Sequence, residues 1–265
     1  MSSSLPIAIQ PITWGNTPLE QVCQEVATLG YEGIEPPVAN YLEDIPRLHG
    51  MLEEAGLRCS ATYTGVSLLD PATREEELRQ ELAIARALRE LDAEIIVLSA
   101  PERQVERSVS HPPSVIREYA GHVNDLCRRL REETGVIPAF HNHIHTLIER
   151  PEEIDLFLEY TDPDLLFCGF DSAQLSAGGA CPVEYFIRYA ARTRYVHLKD
   201  RQLGRPTYGN FCELGLGFID IQAIVQVLTD AGYSGWLTVE VDQSLTTPRD
   251  SAAVCREFLC NRCGL

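Results

Sequence analysis

A chain of 265 residues, 45% hydrophobic and 23% charged, can bury a sizeable core and is far from the composition of a disordered protein. Its formal net charge of −17 argues against nucleic acid and anionic lipid as partners. No apolar run approaches the roughly 20 residues that span a bilayer, and the start, Met1-Ser-Ser-Ser-Leu5, lacks the basic and apolar regions of a signal peptide, so a cytoplasmic protein is expected.

The elements follow in order. Ile7 to Thr13 reads as a strand, Gly15-Asn16 as a turn, and Thr17 as the cap of a helix ending at Gly30, with Pro18 at its first position and Glu20 completing a capping box. Gly33-Ile34-Glu35 is a short strand stopped by Pro36 and Pro37; a helix over Tyr41 to Ala55 closes at Gly56. Leu57 to Tyr63 gives the third strand, Arg74 to Leu91 a helix, and Glu94 to Ser99 the fourth strand. The polar stretch Pro101 to Pro113 is long enough for a lid or an oligomer contact, which leaves a homo-oligomer open. Helix Ser114 to Thr134 then leads to strand Val136 to Phe140 and the run His141-Asn142-His143-Ile144-His145. Helix Pro151 to Tyr160, strand Leu165 to Phe170, helix Val183 to Ala191, strand Arg194 to Leu198, helix Ile219 to Ala231, strand Gly235 to Val239 and helix Arg249 to Leu259 complete the chain.

Strand and helix alternate about eight times with no linker between, in a length near the roughly 250 residues of a (β/α)8 barrel. The expected fold is therefore one α/β barrel domain over residues 1–265. The nine cysteines are an odd number and read as reduced thiols, and Cys260-x-x-Cys263 has no second pair with which to hold zinc.

A barrel gathers the C-terminal ends of its strands on one face, where active sites are built. Glu35, His141, Asp171, His197 and Glu240 each stand at or just after the end of a different strand, and Lys199 and Asp200 follow His197 closely. Two imidazoles and two carboxylates converging on one centre suit a divalent ion, Mn, Co, Fe, Zn or Mg, with the mixed nitrogen and oxygen set favouring a transition metal. His141 as a ligand depends on where its strand ends, because a one-residue slip exchanges it for His143.

Ile9-Gln-Pro-Ile-Thr-Trp-Gly-Asn16, Gly30-Tyr-Glu-Gly-Ile-Glu35, His141-Asn-His143, Phe170-Asp-Ser-Ala-Gln174, Val196-His-Leu-Lys-Asp200 and Ala231-Gly-Tyr-Ser-Gly-Trp-Leu-Thr-Val-Glu240 together resemble the xylose-isomerase-like barrel superfamily. Within it the chain is most similar to the inosose dehydratases (2-keto-myo-inositol dehydratases). The resemblance implies a TIM barrel with Asp171, His197 and Glu240 as metal ligands and His141 where isomerases and epimerases carry a glutamate. Gln174 stands where the family often has histidine; it keeps a hydrogen bond but cannot transfer a proton, which leaves it a substrate-orienting role.

A single metal-bound glutamate suits one-sided proton removal, through an enolate, with loss of a β-hydroxyl as water. The expected enzyme is thus a divalent-metal-dependent lyase acting on a keto-polyol such as 2-keto-myo-inositol. A sugar isomerase or ketose epimerase on the same site, and a noncatalytic carbohydrate-binding protein, are the alternatives. Glu240 or Glu35 is expected to take the proton and His143 or Lys199 to protonate or orient the leaving hydroxyl, with Lys199 paired to Asp200 at a substrate oxygen. Trp14 is a candidate wall for the sugar face.

Overall fold

The structure, a computed structural model, describes residues 5–265; Met1–Ser4, which carry most of the expectation about the chain's start, lie outside that range. The first half runs β1 (Ile7–Ile9), α1 (Leu19–Thr28), β2 (Gly33–Ile34), α2 (Ile45–Ala55), β3 (Arg58–Cys59), β4 (Thr62–Gly65), α3 (Arg74–Glu90), β5 (Ile95–Ser99) and α4 (Pro113–Thr134). The second runs β6 (Ile137–His141), α5 (Pro151–Tyr160), β7 (Phe167–Asp171), α6 (Ser172–Gly178), α7 (Pro182–Tyr189), β8 (Thr193–Leu198), β9 (Asp200–Arg201), β10 (Phe211–Cys212), α8 (Ile221–Asp230), β11 (Leu237–Val239) and α9 (Pro248–Cys263).

Nine strands make one sheet in the order β3-β2-β1-β11-β8-β7-β6-β5-β4, and its pairings are parallel. Because β3 and β4 are consecutive pieces of one stave, the two ends of that order coincide and the sheet closes into the expected (β/α)8 barrel. The break falls at Ser60-Ala61: Ser60 bonds Tyr195 inside the barrel, and Ala61 belongs to the same interior cluster. Two successive residues on one face cannot belong to a regular strand.

Alternation sorts the remaining staves. Ile7, Ile9, Phe140, Val196 and Leu198 join the large cluster shared with the helices, whereas Ile95, Val97, Ala139 and Tyr195 form a small cluster within the barrel, against Ile137 and Trp236. Trp236 fits because its neighbour is Gly33, where a Cβ would lie 2.8 Å from the indole ring. On the outside, α4 buries Ile116, Tyr119, Ala120, Val123, Cys127 and Leu130, a helical stripe facing the sheet. Each such fully buried large side chain contributes about 1.5–3 kcal/mol.

Local differences from expectation have local causes. The Thr17–Glu20 capping box does not form, because Pro11–Trp14 winds into a 3-10 turn whose Trp14 carbonyl takes the Thr17 N–H at 3.1 Å; Pro18 becomes the cap of α1. α2 starts at Ile45 rather than Tyr41, with the Asp44 side chain accepting from Arg47 N. The stretch after β5 is tied down rather than free: Arg103 forks onto Glu153 of α5 with two contacts of 2.9 Å, and Glu153 also accepts from the backbone N–H groups of His111 and Arg150. Among the described residues no helix is long and apolar enough to cross a membrane.

Candidate metal centre

β11, β8, β7 and β6 are consecutive staves, so their C-terminal ends share one arc of the rim. His141 and Asp171 close β6 and β7, His197 is the next-to-last residue of β8, and Glu240 follows β11. Register brings them level: Asp171 is opposite His197, and His197 is opposite Thr238, two residues before Glu240. One donor atom from each of His141, Asp171, His197 and Glu240 lies within 4.8 Å of the others, and all four residues are buried. His141, rather than His143, therefore joins His197 as the second imidazole of this cluster.

Each of the four keeps a buried polar atom with no hydrogen-bond partner: His141 Nδ1, Asp171 Oδ2, His197 Nδ1 and Glu240 Oε2. His197 Nδ1 does stand 2.9 Å from Glu240 Oε2, and Asp171 Oδ2 stands 3.1 Å from Lys199 Nζ, but neither contact has hydrogen-bond alignment. Orphaned buried polar atoms are costly, and one on each of four clustered residues fits a shared cation.

Their other atoms are held from behind. Asp171 Oδ1 accepts from the N–H groups of Ala173 and Gln174 at 2.7 and 2.8 Å, which caps α6 and turns Oδ2 toward the cluster. Asn142 grips the Asp171 backbone at both its N–H and its carbonyl. His197 Nε2 lies 2.7 Å from Glu35 Oε2, which also accepts from Tyr195 Oη at 2.7 Å. Tyr195 in turn meets Ser60 Oγ at 2.9 Å and Thr238 Oγ1 at 2.6 Å. Glu35 thus stands behind His197, outside the cluster of four.

Burial and charge set the protonation states. Desolvation holds the His141 imidazole well below its usual value, keeping it neutral. Burial also lowers His197, but Glu35 and Glu240 outweigh it and raise the ring to about 10. Burial raises Asp171. Burial opposes ionisation of Glu240 too, yet Lys199 and His197 hold its carboxyl well below the ordinary range. Lys199 is wholly buried; three carboxylates keep it charged against desolvation, Asp171 Oδ2 at 3.1 Å, Glu240 Oε1 at 2.9 Å and Asp242 Oδ1 at 2.9 Å.

The other expected residues divide. The ring of His143 is centred 5.9 Å from that of His141, and its Nδ1 donates to the Ile144 carbonyl at 2.6 Å, which leaves Nε2 as a lone pair on a ring that burial keeps neutral. Gln174 accepts from Ile144 N through Oε1, while its buried NH2 has no partner. Trp14 spends its indole N–H on Glu25, and its ring lines a cavity of about 530 Å3 with Glu35, Tyr41 and Tyr63. A larger cavity, about 810 Å3, opens at the opposite mouth beside Arg58, Thr193 and Trp236 and contains none of the four clustered residues.

Asp200 is a correction. It does not pair with Lys199 or face the site: its carboxylate accepts from the N–H groups of Arg201, Gly215, Gly217 and Ile219, clamping the loop that follows β10. The reason is strand parity, since Asp200 lies one residue beyond Lys199 and takes the opposite face. Sequence reading overlooked Asp242, Tyr195 and Asn142, although Asp242 and Tyr195 each stand two residues from a singled-out residue, on the same face.

The model of the xylose isomerase-like TIM barrel family matches residues 23–258. This chain belongs to that family. An inosose dehydratase of Geobacillus kaustophilus is 30% identical, over 96% of this chain and 93% of its own length. Two solved structures share the fold: an IOLI protein with a bound zinc atom (TM-score 0.78, 16% identity, 98% of this chain and 98% of that one) and the 3-keto-D-glucoside 4-epimerase YcjR of E. coli (TM-score 0.76, 18% identity, 96% of this chain and 100% of that one).

Proposed function

We propose that the protein is a divalent-metal-dependent dehydratase of a keto-polyol, with an inosose as the first substrate to test. The observation that carries this is the convergence of His141, Asp171, His197 and Glu240, each buried and each with a polar atom that has no hydrogen-bond partner, which would hold the ion. The full-length similarity to an inosose dehydratase supports the substrate class. When bound, the ion supplies Lewis-acid stabilisation of negative charge on the substrate carbonyl oxygen.

The remaining roles belong to the chain. His143, neutral with Nε2 free, takes the proton from the carbon beside the carbonyl and returns it to the β-hydroxyl, which leaves as water. Glu240 is the weaker base, because Lys199 contacts its Oε1 at 2.9 Å and the same carboxylate would hold the ion. Lys199, kept charged by three carboxylates, donates hydrogen bonds to a substrate oxygen rather than a proton. Glu35 positions His197, and the free NH2 of Gln174 orients a hydroxyl. Trp14 and Tyr63 wall the adjoining cavity.

The test combines metal analysis of protein purified without chelator with incubation of 2-keto-myo-inositol in deuterated water. A new ultraviolet enone or diketone absorbance, abolished by chelation and by His143→Ala, is expected. Deuterium incorporation without that absorbance makes the enzyme an isomerase or epimerase. Ligand binding that survives chelation, with no turnover in any metal, makes it a noncatalytic binder. Loss of turnover in Glu240→Gln with metal still bound, alongside an active His143→Ala, transfers the base role to Glu240.

A further inference from the structure

Lys199 presents an unusual charge arrangement for a metal centre. Its ammonium is wholly buried, with the Phe211 ring 4.8 Å away, and two of its three carboxylate partners, Asp171 and Glu240, are the candidate ligands themselves. The third, Asp242, contacts it at 2.9 Å and lies outside the cluster of four. Three carboxylates face one ammonium, an excess of negative charge that a divalent ion would offset. A cation and Lys199 therefore draw on the same two carboxylates, and Asp242 alone can hold the ammonium without taking from the ion.

We infer that Lys199 is a built-in competitor of the metal and that Asp242 is a positioning residue which sets metal affinity by drawing the ammonium off Asp171 and Glu240. The inference rests on the metal site proposed above. The pair sets how tightly the ion is held: Lys199 lowers its affinity by occupying ligand charge, and Asp242 restores it. Asp242 acts through Lys199, so its effect depends on the ammonium being there. A residue serving only to hold the fold would lower affinity whenever it was removed; the inference requires removal of the two partners to act in opposite directions.

The experiment titrates Mn2+ into the full chain, stripped by dialysis against chelator, by calorimetry or competition with a chromophoric chelator. Lys199→Met, with Lys199→Gln as a second neutral variant should the first not fold, is expected to bind Mn2+ about ten-fold more tightly, and Asp242→Asn about ten-fold more weakly, each a change of about 1.4 kcal/mol. In the Lys199→Met background, Asp242→Asn should change affinity by less than about three-fold, a double-mutant cycle that separates action through Lys199 from direct contact with the ion. Unchanged or weaker binding in both neutral Lys199 variants, with wild type still binding, overturns the inference and leaves the metal site standing. An undiminished Asp242 effect in the absence of the ammonium also overturns it. If neither wild type nor any variant binds Mn2+, Zn2+ or Co2+, the metal site falls and this inference falls with it.

Discussion

Tyr195→Phe isolates the support behind the candidate metal centre, because it removes one oxygen and little else. That hydroxyl touches three buried groups: Glu35 Oε2 at 2.7 Å, Thr238 Oγ1 at 2.6 Å and Ser60 Oγ at 2.9 Å. A buried polar atom left without its partner costs about 1–3 kcal/mol, and of the three only Glu35 Oε2 keeps a second contact, to His197 Nε2. The two small hydroxyls can rotate to recover part of this, so the net loss is about 3–5 kcal/mol, within the 5–15 kcal/mol of a typical native state. The same change frees Glu35 to move, and with it the His197 ring whose Nε2 it fixes; loss of such support typically weakens metal binding 10- to 100-fold. Urea denaturation of metal-free protein reads the first effect and competition with a chromophoric chelator the second. A loss below about 1 kcal/mol together with unchanged metal affinity would refute the idea that this hydroxyl organises the barrel's polar interior.

Two further outcomes test the rim. Glu153→Gln should cost about 3–5 kcal/mol at pH 7, because it leaves the buried Arg103 guanidinium without its counter-charge; equilibrium denaturation showing less than about 1 kcal/mol would count against it. The same carboxyl gives a pH signature: burial pushes it up, but Arg103 and the backbone N–H groups of Arg150 and His111 pull it down to about 2 from an ordinary 4.5. A folded-state value below the unfolded one means stability that is complete above about pH 4.5 and lost as pH falls toward 2, and this part of the acid limb should vanish in Glu153→Gln. Asp200→Asn should release residues 202–217, since an amide can no longer accept from all four backbone N–H groups. Faster hydrogen exchange there, with metal affinity changed less than about three-fold, is expected, whereas a large drop in affinity would return Asp200 to the site.

The barrel was legible because each stave announces itself by a short apolar run and each helix by a stripe, and neither signal depends on distant contacts. The break at Ser60-Ala61 was not legible, since it exists to let Ser60 reach Tyr195, a partner 135 positions away. The same holds for the segment after β5: its length and polar composition read as a lid or an oligomer contact, and only the fold shows Arg103 and His111 converging on Glu153.

The site is legible wherever strand parity continues past the strand ends. In β8 the inward set is Tyr195 and His197, with Lys199 continuing it past the strand end, while Val196, Leu198 and then Asp200 take the outer face. After β11 the same rule runs Thr238, Glu240, Asp242. Steps of two from His197 and Glu240 thus reach four further polar residues, of which Tyr195 and Thr238 build the hydrogen-bonded floor and Lys199 and Asp242 the ion pair above it. Asp200 breaks the step and is the residue the structure removes from the site. Parity also explains Glu35: from β2 it enters the barrel on the side of His197 Nε2, so its carboxylate meets the ring from behind while Nδ1 stays beside Glu240, 2.9 Å from its Oε2. A carboxylate at a strand end is therefore not enough to name a base or a ligand; which nitrogen of the neighbouring imidazole it faces decides between chemistry and support.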